Sequence, residues 1–117
     1  MEQLPLFDES VLVSLRRFGQ PAFLVRMVDM FLGTTGGPVN QAVSSAAAGD
    51  WDSVAFAAHS LKSSAGTLGL PRLTGIVQKL EIAARSRNRD AATVWLSDLR
   101  RVWEESCATL SEYRGKL

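Results

Sequence analysis

Apolar residues in this chain recur at steps of three and four, and the aromatic and β-branched ones do not alternate with polar neighbours. This periodicity limits the fold more than any other feature. A 3.6-residue repeat gathers such positions on one face of a helix, whereas a half-buried strand needs alternation. No Asn-Gly or Asp-Gly pair joins two apolar runs, so hairpins are not signalled either.

Five helical segments follow. Asp8, a good N-cap, opens the first, which carries Val11, Leu12 and Leu15 on one face. Gly19 ends it, and Pro21 sits where a new helix can start. The second carries Phe23, Leu24, Met27, Val28 and Phe31, then meets "GTTGGP" at 33–38, where glycines and a proline should break or kink it. The apolar phase resumes at Val39, Ala42, Val43 and Ala46, which predicts one long interrupted helix. Gly49 closes it and Asp50 caps the third helix, with a buried stripe of Val54, Ala58, Leu61, Ala65 and Leu68. Gly69 ends the third and Pro71 opens the fourth, which buries Leu73, Ile76, Val77, Leu80 and Ala84. "RSRNRD" reads as a polar connector with Asp90 as the next N-cap. The fifth buries Trp95, Leu99, Val102, Trp103, Leu110 and Tyr113. Short connections make successive helices antiparallel neighbours. The expected fold is all-α: an antiparallel up-down four-helix bundle with a short additional N-terminal helix, one domain over 1–117 with its core at about 6–113.

Several function classes drop out on composition. A net charge of +1 gives no field to hold nucleic acid or an anionic membrane. The arginines at 85, 87 and 89 therefore read as a solvated connector. Cys107 is the only cysteine, so no internal disulfide forms. No apolar run reaches the roughly 18 residues of a membrane span. The acidic start "MEQLPLFDES" lacks the pattern of a signal peptide, so a cytoplasmic setting is expected. Met1 and the short tail after Tyr113 fit a free-standing protein and equally an excised domain of a hybrid kinase, so the sequence leaves both open. There is no Gly-rich nucleotide loop for an autonomous kinase. One histidine cannot supply the paired Glu-x-x-His ligands of a bundle metal site.

That histidine, His59, stands in "AAHSLKSSAGTLGLP". At about 100° per residue, His59, Lys62 and Gly66 each fall one step beyond a buried position of the third helix. They form a second stripe towards solvent. Phe56 and Ser63 lie one turn to either side of His59, and Ala55 and Gly66 add little bulk. A lone helical histidine is ordinarily a surface residue, and small residues often mean close helix packing. The combination says more. An accessible neutral imidazole is a nucleophile, a nearby ammonium disfavours imidazolium, and the same ammonium can attract incoming phosphoryl oxygens. Phosphoryl transfer suits this arrangement, with Ala55, Phe56, Ser63 and Gly66 around His59 meeting a partner and Phe23 and Met30 extending the surface.

At this point the chain resembles the histidine-containing phosphotransfer (HPt) domains of phosphorelays. Their core reads roughly A-H-x-L-K-G-S-S/A-x-x-x-G, with a leucine and a Leu-Glu pair about one helix further on. Here it stands as "AHSLKSSAGTLG", followed by Leu73 and "KLE" ending at Glu81. The upstream "AAAGDWDSV" and the opening "FDESVLVSL" and "FLVRMVDMFL" are also similar, so the likeness covers about 6–113. Ser63 departs from the family's frequent glycine, and "GTTGGP" is richer in glycine than its second helix. The resemblance implies that His59 is phosphorylated on Nε2 and that Lys62 supports the phosphoryl group. It further implies exchange with response-regulator receiver domains and a hybrid sensor histidine kinase, by a monomer. No intrinsic cofactor is implied, since the Mg²⁺ belongs to the receiver. The alternative is a non-catalytic HPt-like docking module that sequesters a signalling partner through the Phe56 face.

Overall fold

The computed structural model describes residues 4–117, and all regular structure among them is helical. Six helices run in order: α1 (Glu9–Arg16), α2 (Pro21–Thr34), α3 (Gly36–Ala47), α4 (Trp51–Thr67), α5 (Pro71–Arg85) and α6 (Arg89–Gly115). α4 packs between α3 and α5, while α6 closes against α5, α2 and α3. One contiguous core results, in which Leu12, Leu24, Leu61, Leu70, Leu73, Leu80, Leu99 and Leu110 are fully enclosed. Each such side chain contributes about 1.5–3 kcal/mol on leaving water.

α2 and α3 are the expected interrupted helix, and the interruption is a single residue. Thr35 keeps right-handed helical angles, and bonds from Thr35 N–H to Phe31 O and from Val39 N–H to Thr35 O (3.2 Å each) span the break. Pro38 has no N–H to offer the preceding turn, which is why the ladder is cut here. The buried Thr35 hydroxyl secures the joint. It donates to Phe31 O (2.7 Å) and accepts from Trp103 Nε1 on α6 (2.9 Å).

Three connections share one design. In Ala48-Gly49-Asp50, Leu68-Gly69-Leu70 and Ser86-Arg87-Asn88 the middle residue has positive φ: 73°, 72° and 53° respectively. The third residue bonds back to the carbonyl of Ser45, Ala65 or Ala83. These are Schellman turns, and each third residue is also the N-cap of the next helix. Asp50 and Asn88 use their side chains for this, accepting from Ser53 N–H and Ala91 N–H. The cap of α6 is thus Asn88 rather than Asp90, because the turn already places Asn88 outside the helix with its amide oxygen aimed at the orphan N–H groups.

Three further expectations shift. Val43 is exposed, and Trp95 and Trp103 are half-buried. α4 buries more than the narrow stripe, adding Ala55 and Ala57 to Val54, Ala58, Leu61 and Ala65. A helix flanked on both sides needs a wider apolar arc, and alanines let both neighbours approach.

Candidate functional site

α4 leaves its N-terminus through the Asp50 cap and buries its alanine-rich side, so its outer edge carries His59 and Lys62. The His59 side chain is 62 % exposed and that of Lys62 34 %. Between them, on α5, stands Glu81, whose side chain is 9 % exposed. Its Oε2 lies 3.1 Å from His59 Nδ1, and its Oε1 accepts from Lys62 Nζ at 3.0 Å. Arg85, one turn on, donates to Oε2 from both Nε (3.1 Å) and Nη2 (2.8 Å).

Burial pushes the Glu81 carboxyl towards its neutral form. The hydrogen bonds from Arg85, Lys62 and His59 outweigh it, with Lys62 adding direct attraction, and hold the group down at about 2. Glu81 is therefore a carboxylate, an acceptor only. The bond to His59 then requires a hydrogen on Nδ1, so in the neutral ring the lone pair is on Nε2. Sequence reading placed the imidazole beside a cation alone; the structure adds a buried anion that fixes its tautomer.

The remaining candidates divide. Phe56 is 71 % exposed one turn from His59, and Ser63 and Gly66 are also exposed. Ala55 is 4 % exposed and belongs to the core instead, on the flank that α4 turns inward. Met30, 68 % exposed, joins Ser63 in a shallow groove of about 230 Å³ between α2 and α4, with Met27, Phe31, Thr34 and Thr67. Phe23 does not line that groove. Its ring folds back on the α1–α2 turn, where a Cβ on Gly19 would lie 3.0 Å from Phe23 Cδ1. Gly66 opens on the other flank, beside Gly69, Thr74 and Gly75.

Glu81 and Arg85 complete this cluster, and neither was among the site candidates read from the sequence, where Glu81 stood only as the end of the "KLE" motif. One signal was available: His59 and Glu81 lie at equal distances along the chain from Leu70, so antiparallel α4 and α5 bring them level. Cys107 offers no competing nucleophile. Burial, with the Glu104 charge nearby, pushes its thiol up to about 11, so it is not a thiolate at neutral pH. Among the described residues, no three His, Cys, Asp or Glu side chains group to hold a metal ion, and no helix is long and apolar enough to cross a membrane.

The described residues form a helical domain with one exposed imidazole, backed by a buried carboxylate and a lysine. A family model, the Hpt domain, matches residues 26–112, and the chain belongs to that family, whose members act in phosphorelays with receiver domains and kinases. The fold is similar to the crystal structure of histidine-containing phosphotransfer protein B (HptB) from Pseudomonas aeruginosa PAO1. The TM-score is 0.88 at 23 % identity, over 98 % of this chain and 99 % of that one. Among curated proteins, none matches.

Proposed function

We propose that this chain is a phosphorelay carrier that accepts a phosphoryl group on His59 Nε2 from a receiver-domain aspartyl phosphate and passes it to another receiver. The observation that carries this reading is the Nδ1–H bond to buried Glu81 on an imidazole that is otherwise open to solvent. The Nε2 lone pair attacks phosphorus, the N–P bond forms, and the P–O bond to the aspartate breaks. The ring becomes an N-phosphoimidazolium with its proton still on Nδ1, facing the Glu81 carboxylate. Onward transfer reverses the electron flow and moves no proton. Lys62 rests on Glu81 with one of its three N–H donors; the other two remain for phosphoryl oxygens. The Mg²⁺ is the receiver's, and this chain brings no cofactor.

In this reading residues 1–117 form one cytoplasmic, monomeric domain, with α2–α3, α4, α5 and α6 as an up-down bundle. Donor and acceptor receivers, one of them on a hybrid sensor kinase, dock over His59 on Phe56, Ser63, Gly66 and Met30. Incubation with a phosphorylated receiver and Mg²⁺ should leave acid-labile, alkali-stable phosphate on the chain. His59→Gln should abolish it while the circular dichroism spectrum stays that of the wild type. Labelling of the variant to the wild-type level would sink the assignment. Undiminished effects on a partner with His59→Ala would leave the docking-module reading in its place.

A further inference from the structure

Glu81 Oε2 is oversubscribed. Three N–H donors converge on it, from His59 Nδ1 and from Arg85 Nε and Nη2, whereas an oxygen offers two lone pairs. Lys62 takes the other oxygen, Oε1. Arg85 thus competes with the imidazole for the same atom, and Lys62 does not. We propose that Arg85 is a positioning residue that sets the pH range over which a phosphoryl group leaves His59, by competing with Nδ1–H for Glu81 Oε2. The inference rests on the reading of His59 as the phosphoryl-bearing residue.

Leaving-group chemistry gives the direction. While Nδ1 keeps its proton, the N–P bond breaks to release a neutral imidazole. Once Nδ1 loses it, the departing group would be an imidazolate, and transfer slows. The departure rate therefore falls along an alkaline limb placed by how firmly the surroundings hold the Nδ1 proton. From α4 the imidazole meets Lys62, a cation. From α5 it meets Glu81, an anion, whose charge Arg85 partly neutralises. No side chain of α3 or α6 makes a polar contact with Glu81 among the described residues. Removing Arg85 leaves the carboxylate free to hold the proton more firmly. Removing the carboxylate charge does the reverse.

The test needs no partner. Because His59 is the only histidine, phosphoramidate can load it specifically, releasing ammonia as the N–P bond forms. Hydrolysis then transfers the phosphoryl group to water, and its rate is followed against pH. Arg85→Gln should move the alkaline limb up by about 0.5 pH unit or more, Glu81→Gln should move it down, and Arg85→Lys should restore most of the wild-type profile. Opposite movements from two residues in one hydrogen-bonded pair are not what a general loosening of the site produces. An unmoved limb in Arg85→Gln, or movement of both variants in the same direction, overturns the proposal. If Glu81→Gln does not fold, the Arg85→Gln and Arg85→Lys pair decides alone. A wild-type chain that phosphoramidate cannot load refutes the reading of His59 itself. A loaded chain that exchanges with no receiver refutes only the relay.

Discussion

The buried Glu81 carboxylate ties the stability of the fold to pH, and the size of the effect can be worked out. Its carboxyl is held at about 2 against an ordinary value of 4.5. At about 1.36 kcal/mol per pH unit, that gap is worth roughly 3 kcal/mol at neutral pH. This is an upper figure, because the Arg85 and His59 side chains are 62 % exposed and water screens their share. The folded value lies below the unfolded one, so the stabilisation is fully present above the unfolded value and disappears as pH falls towards the folded one. Roughly 2 kcal/mol should be gone by about pH 3, as the unfolded chain takes up a proton that the folded chain still refuses. Glu81→Gln, which matches the protonated acid in shape, has nothing to titrate in that window. Urea unfolding of both proteins, followed by far-UV circular dichroism between about pH 7 and pH 3, should show the variant less stable by at most roughly 3 kcal/mol at the upper end and by at most about 1 kcal/mol at the lower. Asp29 and Asp50 are also held below the usual carboxylate range, by hydrogen bonds from Arg114 and Ser53 respectively. Both remain in the variant, so their contributions cancel in the difference. A gap that stays constant with pH would refute the reasoning, since it would mean the Glu81 carboxyl takes up its proton over the same pH range in the folded and the unfolded chain.

The turn geometry gives two predictions of opposite sign. Gly69→Ala should destabilise by about 2 kcal/mol or more, because φ is +72° and the new Cβ would stand 2.6 Å from the Asp8 carbonyl oxygen. Arg87→Gly, at φ 53° in the equivalent turn, should stabilise by about 0.5–1 kcal/mol, since glycine removes the left-handed penalty and the exposed Asp52 contact contributes little. Denaturant midpoints check both, and equal effects at the two sites would contradict the shared turn. Trp103→Phe should cost about 1 kcal/mol by removing the indole bond to Thr35 at the α2–α3 joint; a change below about 0.3 kcal/mol would mean that bond does not hold the joint.

Most of the fold was legible because helix period, caps and breakers are local. Asp8, Asp50, Gly49, Gly69 and Pro71 act where the sequence places them. The misreadings came where a third party intervenes. Asp90 and Asn88 are both sound caps, and only the Schellman turn around Arg87, a residue with no intrinsic liking for positive φ, selects Asn88. Ala55 looked like an open position beside His59 because the phase of one stripe was considered, whereas α4 has neighbours on two sides.

The site was legible only in half for a related reason. His59 and Lys62 share a helix face, and spacing along one helix is visible in sequence. Glu81 sits in the buried phase of α5, between Leu80 and Ala83, where a charge normally signals either a misread helix or a partner across the interface. Burying a carboxylate there without partners would cost several kcal/mol. The chain tolerates it because Lys62, His59 and Arg85 converge on it, and two of the three come from another helix. A buried acid placed level with an exposed histidine across a short turn is therefore informative in itself. In the proposed relay it fixes which nitrogen of the neutral ring carries the proton, and so which one is free to react. The residue that holds the His59 ring in place is the one that reads, in sequence, as an exception to the core.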